Sequence, residues 1–159
     1  MKTIDSPKRS IAIRLIRHAE SMNNQVYREA HKKFKYGTHD FDLKGWTDYI
    51  NEHRVADPSI SETGFLQAKQ LSTYLETNLT NQASCPIKFI LSPMRRTIET
   101  IIPTLEKLSQ DCADSRFQNT KVIVNAYYTE SEGCYSNGKT GKLIRKSNLY
   151  NFFATKSKL

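Results

Sequence analysis

The chain of 159 residues carries a formal charge of +8, with seven Phe, eight Tyr and one Trp. That length suits a single domain with one sizeable core, and the aromatic content excludes disorder as the default. Every apolar run falls short of the roughly 18–20 residues that a membrane-spanning helix needs, and the charged start MKTIDSPKRS does not read as a signal peptide.

The positive charge is local. Residues 139–159 hold six basic residues and no acids, while the other 138 carry 18 basic against 16 acidic. A short basic tail of this kind reads as solvated, and no RNA- or DNA-binding signature accompanies it, so neither nucleic acid nor membrane is an expected partner. Cys85, Cys112 and Cys134 are odd in number and widely spaced. They suit neither a disulfide framework nor a zinc site and point to a reducing, cytoplasmic setting.

In chain order, Ile11-Ala12-Ile13 and Leu15-Ile16 predict a first strand over residues 11–17 that stops at Arg17-His18. Residues 25–56 are polar, charged and aromatic with no clean period, which predicts a long excursion holding one short helix. Asp57-Pro58 resets the chain to an extended conformation, and Ser61 reads as a helix N-cap. Phe65, Ala68, Leu71, Tyr74 and Leu75 then share one helical face, to about Thr77. Residues 87–91 predict a second strand that Ser92-Pro93 ends. Ile98, Ile101, Ile102, Leu105 and Leu108 mark a second amphipathic helix, with Pro103 inside it. A proline there costs about 3 kcal/mol, so a kink or break is expected. Lys121–Val124 predicts a third strand. Alternating strands and helices predict an α/β fold with a mainly parallel sheet.

In open parallel sheets, ligands bind beyond the carboxyl ends of the strands. The first predicted strand end delivers Arg17-His18, with Asn24 close behind; the second delivers Arg95-Arg96; the third delivers Glu130 and Glu132. Any one of these is an ordinary surface feature. Together they suit phosphoryl transfer. A guanidinium matches phosphate oxygens bidentately and stays charged at physiological pH. Its positive field disfavours imidazolium, which keeps a nearby histidine neutral and nucleophilic. The leaving alcohol needs a proton, which a placed carboxylic acid can supply.

The stretches IRHAESMNN, DPSISETGFLQAKQL and ILSPMRRTIET resemble, in order, motifs of the histidine phosphatase superfamily, the group that includes the phosphoglycerate mutases. The resemblance covers about residues 11–138 and leaves 139–159 as a basic tail that does not match. It implies a three-layer α/β/α fold of the phosphoglycerate mutase-like kind in one domain, and phosphomonoester hydrolysis through a phosphohistidine on His18. In that scheme Arg17, Asn24 and Arg96 bind the phosphoryl group, and Glu130, with Glu132 as the alternative, is the acid. It implies a small phosphorylated substrate, no cofactor and no metal. Gly45-Trp46 echoes a mutase motif but lies further from His18 than the mutases place it.

One departure is large. The resemblance implies a second catalytic histidine after the acid, at the end of another core strand. His18, His31, His39 and His53 are the four histidines, and none follows Glu130. The fold is therefore expected to be C-terminally incomplete, as a shortened version of a working phosphatase. The alternatives are an inactive binding or regulatory module, a chain whose missing strand comes from a partner or second copy, or a mutase-type phosphotransferase. The ending Ser157-Lys158-Leu159 adds a peroxisomal address as an alternative location.

Overall fold

The computed structural model describes residues 11–80, 87–110 and 120–129, together with the short strands Tyr135–Ser136 and Lys139–Thr140. The elements run α1 (Met22–Lys33), α2 (Leu43–His53), α3 (Glu62–Thr80), β1 (Lys88–Leu91), α4 (Arg95–Gln110), β2 (Lys121–Val124), a 3-10 turn (Ala126–Tyr128), β3 (Tyr135–Ser136) and β4 (Lys139–Thr140). The fold is mixed α/β. β1 and β2 pair in parallel, Lys88 opposite Lys121 and Leu91 opposite Val124, with α4 as the crossover between them. β3 and β4 form an antiparallel pair.

The core forms where α3 and α4 pack on one face of the parallel pair. Residues in β1 alternate exposed and buried, so Phe89 and Leu91 point inward as strand geometry requires. They meet Leu75 and Leu79 of α3 and Ile101 and Leu108 of α4, with Leu71, Leu105 and Val124 packed around them. Each such side chain contributes about 1.5–3 kcal/mol of burial. Ile90 and Ile123, opposite each other in register, are exposed on the other face.

Three sequence expectations change. The predicted first strand is absent: residues 11–20 take no regular structure, and Ile11, Ile13 and Leu15 are 88, 78 and 94 % exposed. A strand exists only through its ladder, and among the described residues no backbone hydrogen bond pairs residues 11–17 with an edge. The second change concerns residues 25–56, which hold most of two helices rather than one. Ser21 caps α1 in a reciprocal capping box with Asn24, and the Asp42 carboxylate caps α2 by accepting from Gly45 N at 2.9 Å. The helices face each other through rings: His31 stacks on Trp46 at 6.1 Å, Phe34 at the end of α1 tilts against Tyr49 at 5.8 Å, and Trp46 lies 5.9 Å from Tyr27. A Cβ on Gly45 would meet Asp42 and Phe34, so glycine there lets α1 and α2 close up. The third change is in α4, which runs through Pro103 without a break.

Candidate active site

Residues 17–21 are irregular, yet the backbone after His18 is held on three sides. Ala19 N donates to Thr100 Oγ1 at 2.9 Å, and Thr100 Oγ1 donates to Arg96 O at 2.6 Å. Glu20 N donates to Gln67 Oε1 at 2.8 Å, and Ser61 N donates to Glu20 O at 2.8 Å. The Glu20 carboxylate accepts from Ser61 Oγ at 2.6 Å and pairs with Arg28. Ser21 and Ile60 then form an antiparallel bridge, and Met22 N donates to Ser59 O at 2.9 Å.

Two residues of the DPSISETGFLQAKQL stretch thereby gain roles. A Cβ on Gly64 would fall on the Glu20 carbonyl oxygen, so only glycine lets the loop lie against α3. Gln67, one turn further along that helix, supplies the acceptor for Glu20 N. Ser61 caps α3, as its sequence position predicts, accepting from Gly64 N at 3.1 Å.

His18 is half-buried, and its Nδ1 lies 2.7 Å from Ala19 O. A carbonyl oxygen can only accept, so the proton of the neutral ring sits on Nδ1 and the lone pair on Nε2. Arg17 is exposed. Asn24 sits in the first turn of α1. Its Oδ1 accepts from Ser21 N at 3.0 Å and from Ser21 Oγ at 2.9 Å. That leaves the amide nitrogen, the donor a phosphate oxygen requires, with no hydrogen bond among the described residues. The neighbouring Asn23 is committed to structure: Nδ2 donates to Val55 O at 2.9 Å and Oδ1 accepts from Val55 N at 3.0 Å.

Arg95 and Arg96 part company at the start of α4. Arg95 is exposed and pairs with Glu99 Oε1 at 2.6 Å. Arg96 is 5 % exposed, and its charge acts on Asp57. Asp57 caps the same helix end, accepting from Arg95 N at 2.9 Å. Burial raises the Asp57 pKa, opposed by that amide bond and by the Arg96 and Arg95 charges.

His18 and Arg96 are thus joined through Thr100, and Asn24 through the Ser21 cap two residues beyond Ala19. Glu130 and Glu132 lie outside the described residues, as do the three cysteines and the Ser157-Lys158-Leu159 ending. Thr100 was missed by the sequence reading. Its signal was a hydroxyl among the buried positions of an amphipathic helix, one turn after an arginine. An open groove of about 830 Å³ lies beside this region between the start of α3 and α4, lined by Ile60, Phe65, Arg95, Glu99 and Pro103 among others. None of Arg17, His18, Asn24 or Arg96 lines it. Among the described residues no helix is long and apolar enough to cross a membrane, and no group of three or more His, Cys, Asp or Glu is arranged to hold a metal. Comparison of the chain with family models, with curated proteins and with solved structures finds no match.

Proposed function

We propose that the chain hydrolyses phosphomonoesters through a phosphohistidine on His18, within a fold of the phosphoglycerate mutase-like kind. The observation that carries this reading is the His18 ring bonded through Nδ1 to Ala19 O, on a loop tied to the helix whose first turn buries Arg96. That tautomer presents Nε2 as a nucleophile. Nε2 attacks phosphorus, the ester P–O bond breaks, and the alcohol leaves with a proton from Glu130. Water then attacks phosphorus as its proton passes to the Glu130 carboxylate, the P–N bond breaks, and orthophosphate leaves with the lone pair returned to Nε2. Arg17, Arg96 and the Asn24 amide offer donors for the charge that spreads over the phosphoryl oxygens. The substrate class is a small phosphorylated molecule.

Release of phosphate from p-nitrophenyl phosphate tests the reading. His18→Ala should abolish it, while His53→Ala, whose ring stacks on Tyr49 at 4.0 Å, should keep it. Equal activity in both variants would sink the assignment of His18.

A second reading has its own observation. Ile11, Ile13 and Leu15 stand exposed, and the parallel sheet is two-stranded among the described residues. This favours a phosphate-binding module that completes its sheet with another chain. Orthophosphate binding that depends on Arg96, in a protein that forms no phosphohistidine, would select it.

A further inference from the structure

Three hydrogen bonds run in series from the start of α4 to the imidazole. The Thr100 hydroxyl donates to Arg96 O at 2.6 Å and accepts from Ala19 N at 2.9 Å, while Ala19 O accepts from His18 Nδ1. Both sides of Ala19 are therefore occupied. Its N–H is held by α4, and its C=O holds the ring. Thr100 is 4 % exposed, so its hydroxyl uses both its donor and its acceptor out of reach of bulk water, where an unmade bond is costly.

We propose that Thr100 is a positioning residue, which sets the His18 ring and the Arg96 backbone in one frame so that nucleophile and phosphate clamp keep a constant separation. The proposal deepens the phosphohistidine reading and rests on it for its purpose, though not for its geometry. The hydroxyl makes no contact with the substrate and works only through Ala19 and Arg96. Its chemistry explains why threonine rather than an aliphatic residue lies on this buried face. Valine would fill the same volume but offer neither donor nor acceptor. Misplacement of a reacting group by a fraction of an ångström to an ångström lowers rates by about tenfold to a hundredfold.

Two variants and one measurement on the unaltered protein test it. In the wild type, the Ala19 amide should exchange with deuterated solvent as slowly as the interior of α4. The ¹⁵N spectrum of the His18 ring should show a single tautomer protonated on Nδ1. Thr100→Val should mix the tautomers and slow phosphohistidine formation from phosphoramidate about tenfold or more, with orthophosphate affinity close to wild type. Thr100→Ser, which keeps the hydroxyl, should restore both the ring pattern and the rate. Wild-type ring spectra and rate in Thr100→Val would overturn the proposal. So would equal losses in Thr100→Ser and Thr100→Val, or an Ala19 amide that exchanges like an open loop. A wild type that forms no phosphohistidine, but whose single tautomer is lost in Thr100→Val and kept in Thr100→Ser, would end the hydrolase reading and sustain the positioning role.

Discussion

Asp57 combines three demands in one side chain. Its backbone is left-handed at φ +47°, its carboxylate caps α4 through Arg95 N, and burial raises its pKa above the ordinary 3.8. The folded state therefore binds this proton more tightly than the unfolded chain does. The stability tied to the group is fully present below pH 3.8 and is lost as pH rises through the higher folded value. Asn at this position keeps an acceptor for Arg95 N and tolerates the left-handed backbone. Asp57→Asn should then abolish that fall and equal or exceed wild-type stability near neutral pH, read as urea midpoints between about pH 3 and 7. An unchanged pH slope would remove Asp57 as its source. At this scale the sequence was legible in part. Ser61 announced a cap, whereas Asp57, expected to be extended before Pro58, is left-handed and turns its carboxylate to the start of α4. The dependence of the His18 loop on Gly64 and Gln67 was not legible, because it arises from contact between segments more than forty residues apart.

α4 carries its proline inside an unbroken helix. Pro103 has no N–H to offer the carbonyl one turn back, which normally costs about 3 kcal/mol. The segment stays helical because Ile98, Ile101 and Leu108 are buried, and because Ser72 Oγ of α3 donates to Pro103 O at 2.9 Å. Tertiary packing overrides the local penalty. Pro103→Ala keeps that carbonyl and restores the missing donor, so it should stabilise the protein by about 1–3 kcal/mol. Differential scanning calorimetry should show Tm raised by several degrees, and a Tm at or below wild type would mean the ring's own packing outweighs the lost bond. The periodicity of α3 and α4 was readable because both bury an aliphatic stripe. That of α1 and α2 was hidden, since their contact is made by Tyr, His and Trp rings, which a polar–apolar pattern does not group together.

At the scale of the molecule, two sets of β-branched and aliphatic side chains stand outside the core among the described residues. Ile11, Ile13 and Leu15 on the irregular lead-in, and Ile90 and Ile123 on the open face of the sheet, are all exposed. Parallel strands ordinarily have both faces covered, and an exposed apolar run of high β-propensity invites pairing with another chain. The paired substitution Ile13→Lys with Leu15→Lys should lower concentration-dependent association, followed by light scattering, without reducing the urea midpoint. Loss of stability instead would mean that the run packs on the domain in solution.

The sequence by itself determined the strands at residues 88–91 and 121–124, the amphipathic helices α3 and α4, and the identity of the chemical groups near residues 17–24 and 95–96. Those properties follow from local periodicity, turn residues and side-chain chemistry, which each segment carries alone. Only the tertiary structure decided that residues 11–17 form no strand, that Arg96 rather than Arg95 is buried, and that a threonine hydroxyl links the His18 loop to α4. Each of these depends on a partner distant in the chain. A strand needs an edge to pair with, a buried charge needs surrounding mass, and a bridging hydroxyl needs a donor and an acceptor brought to it from two directions.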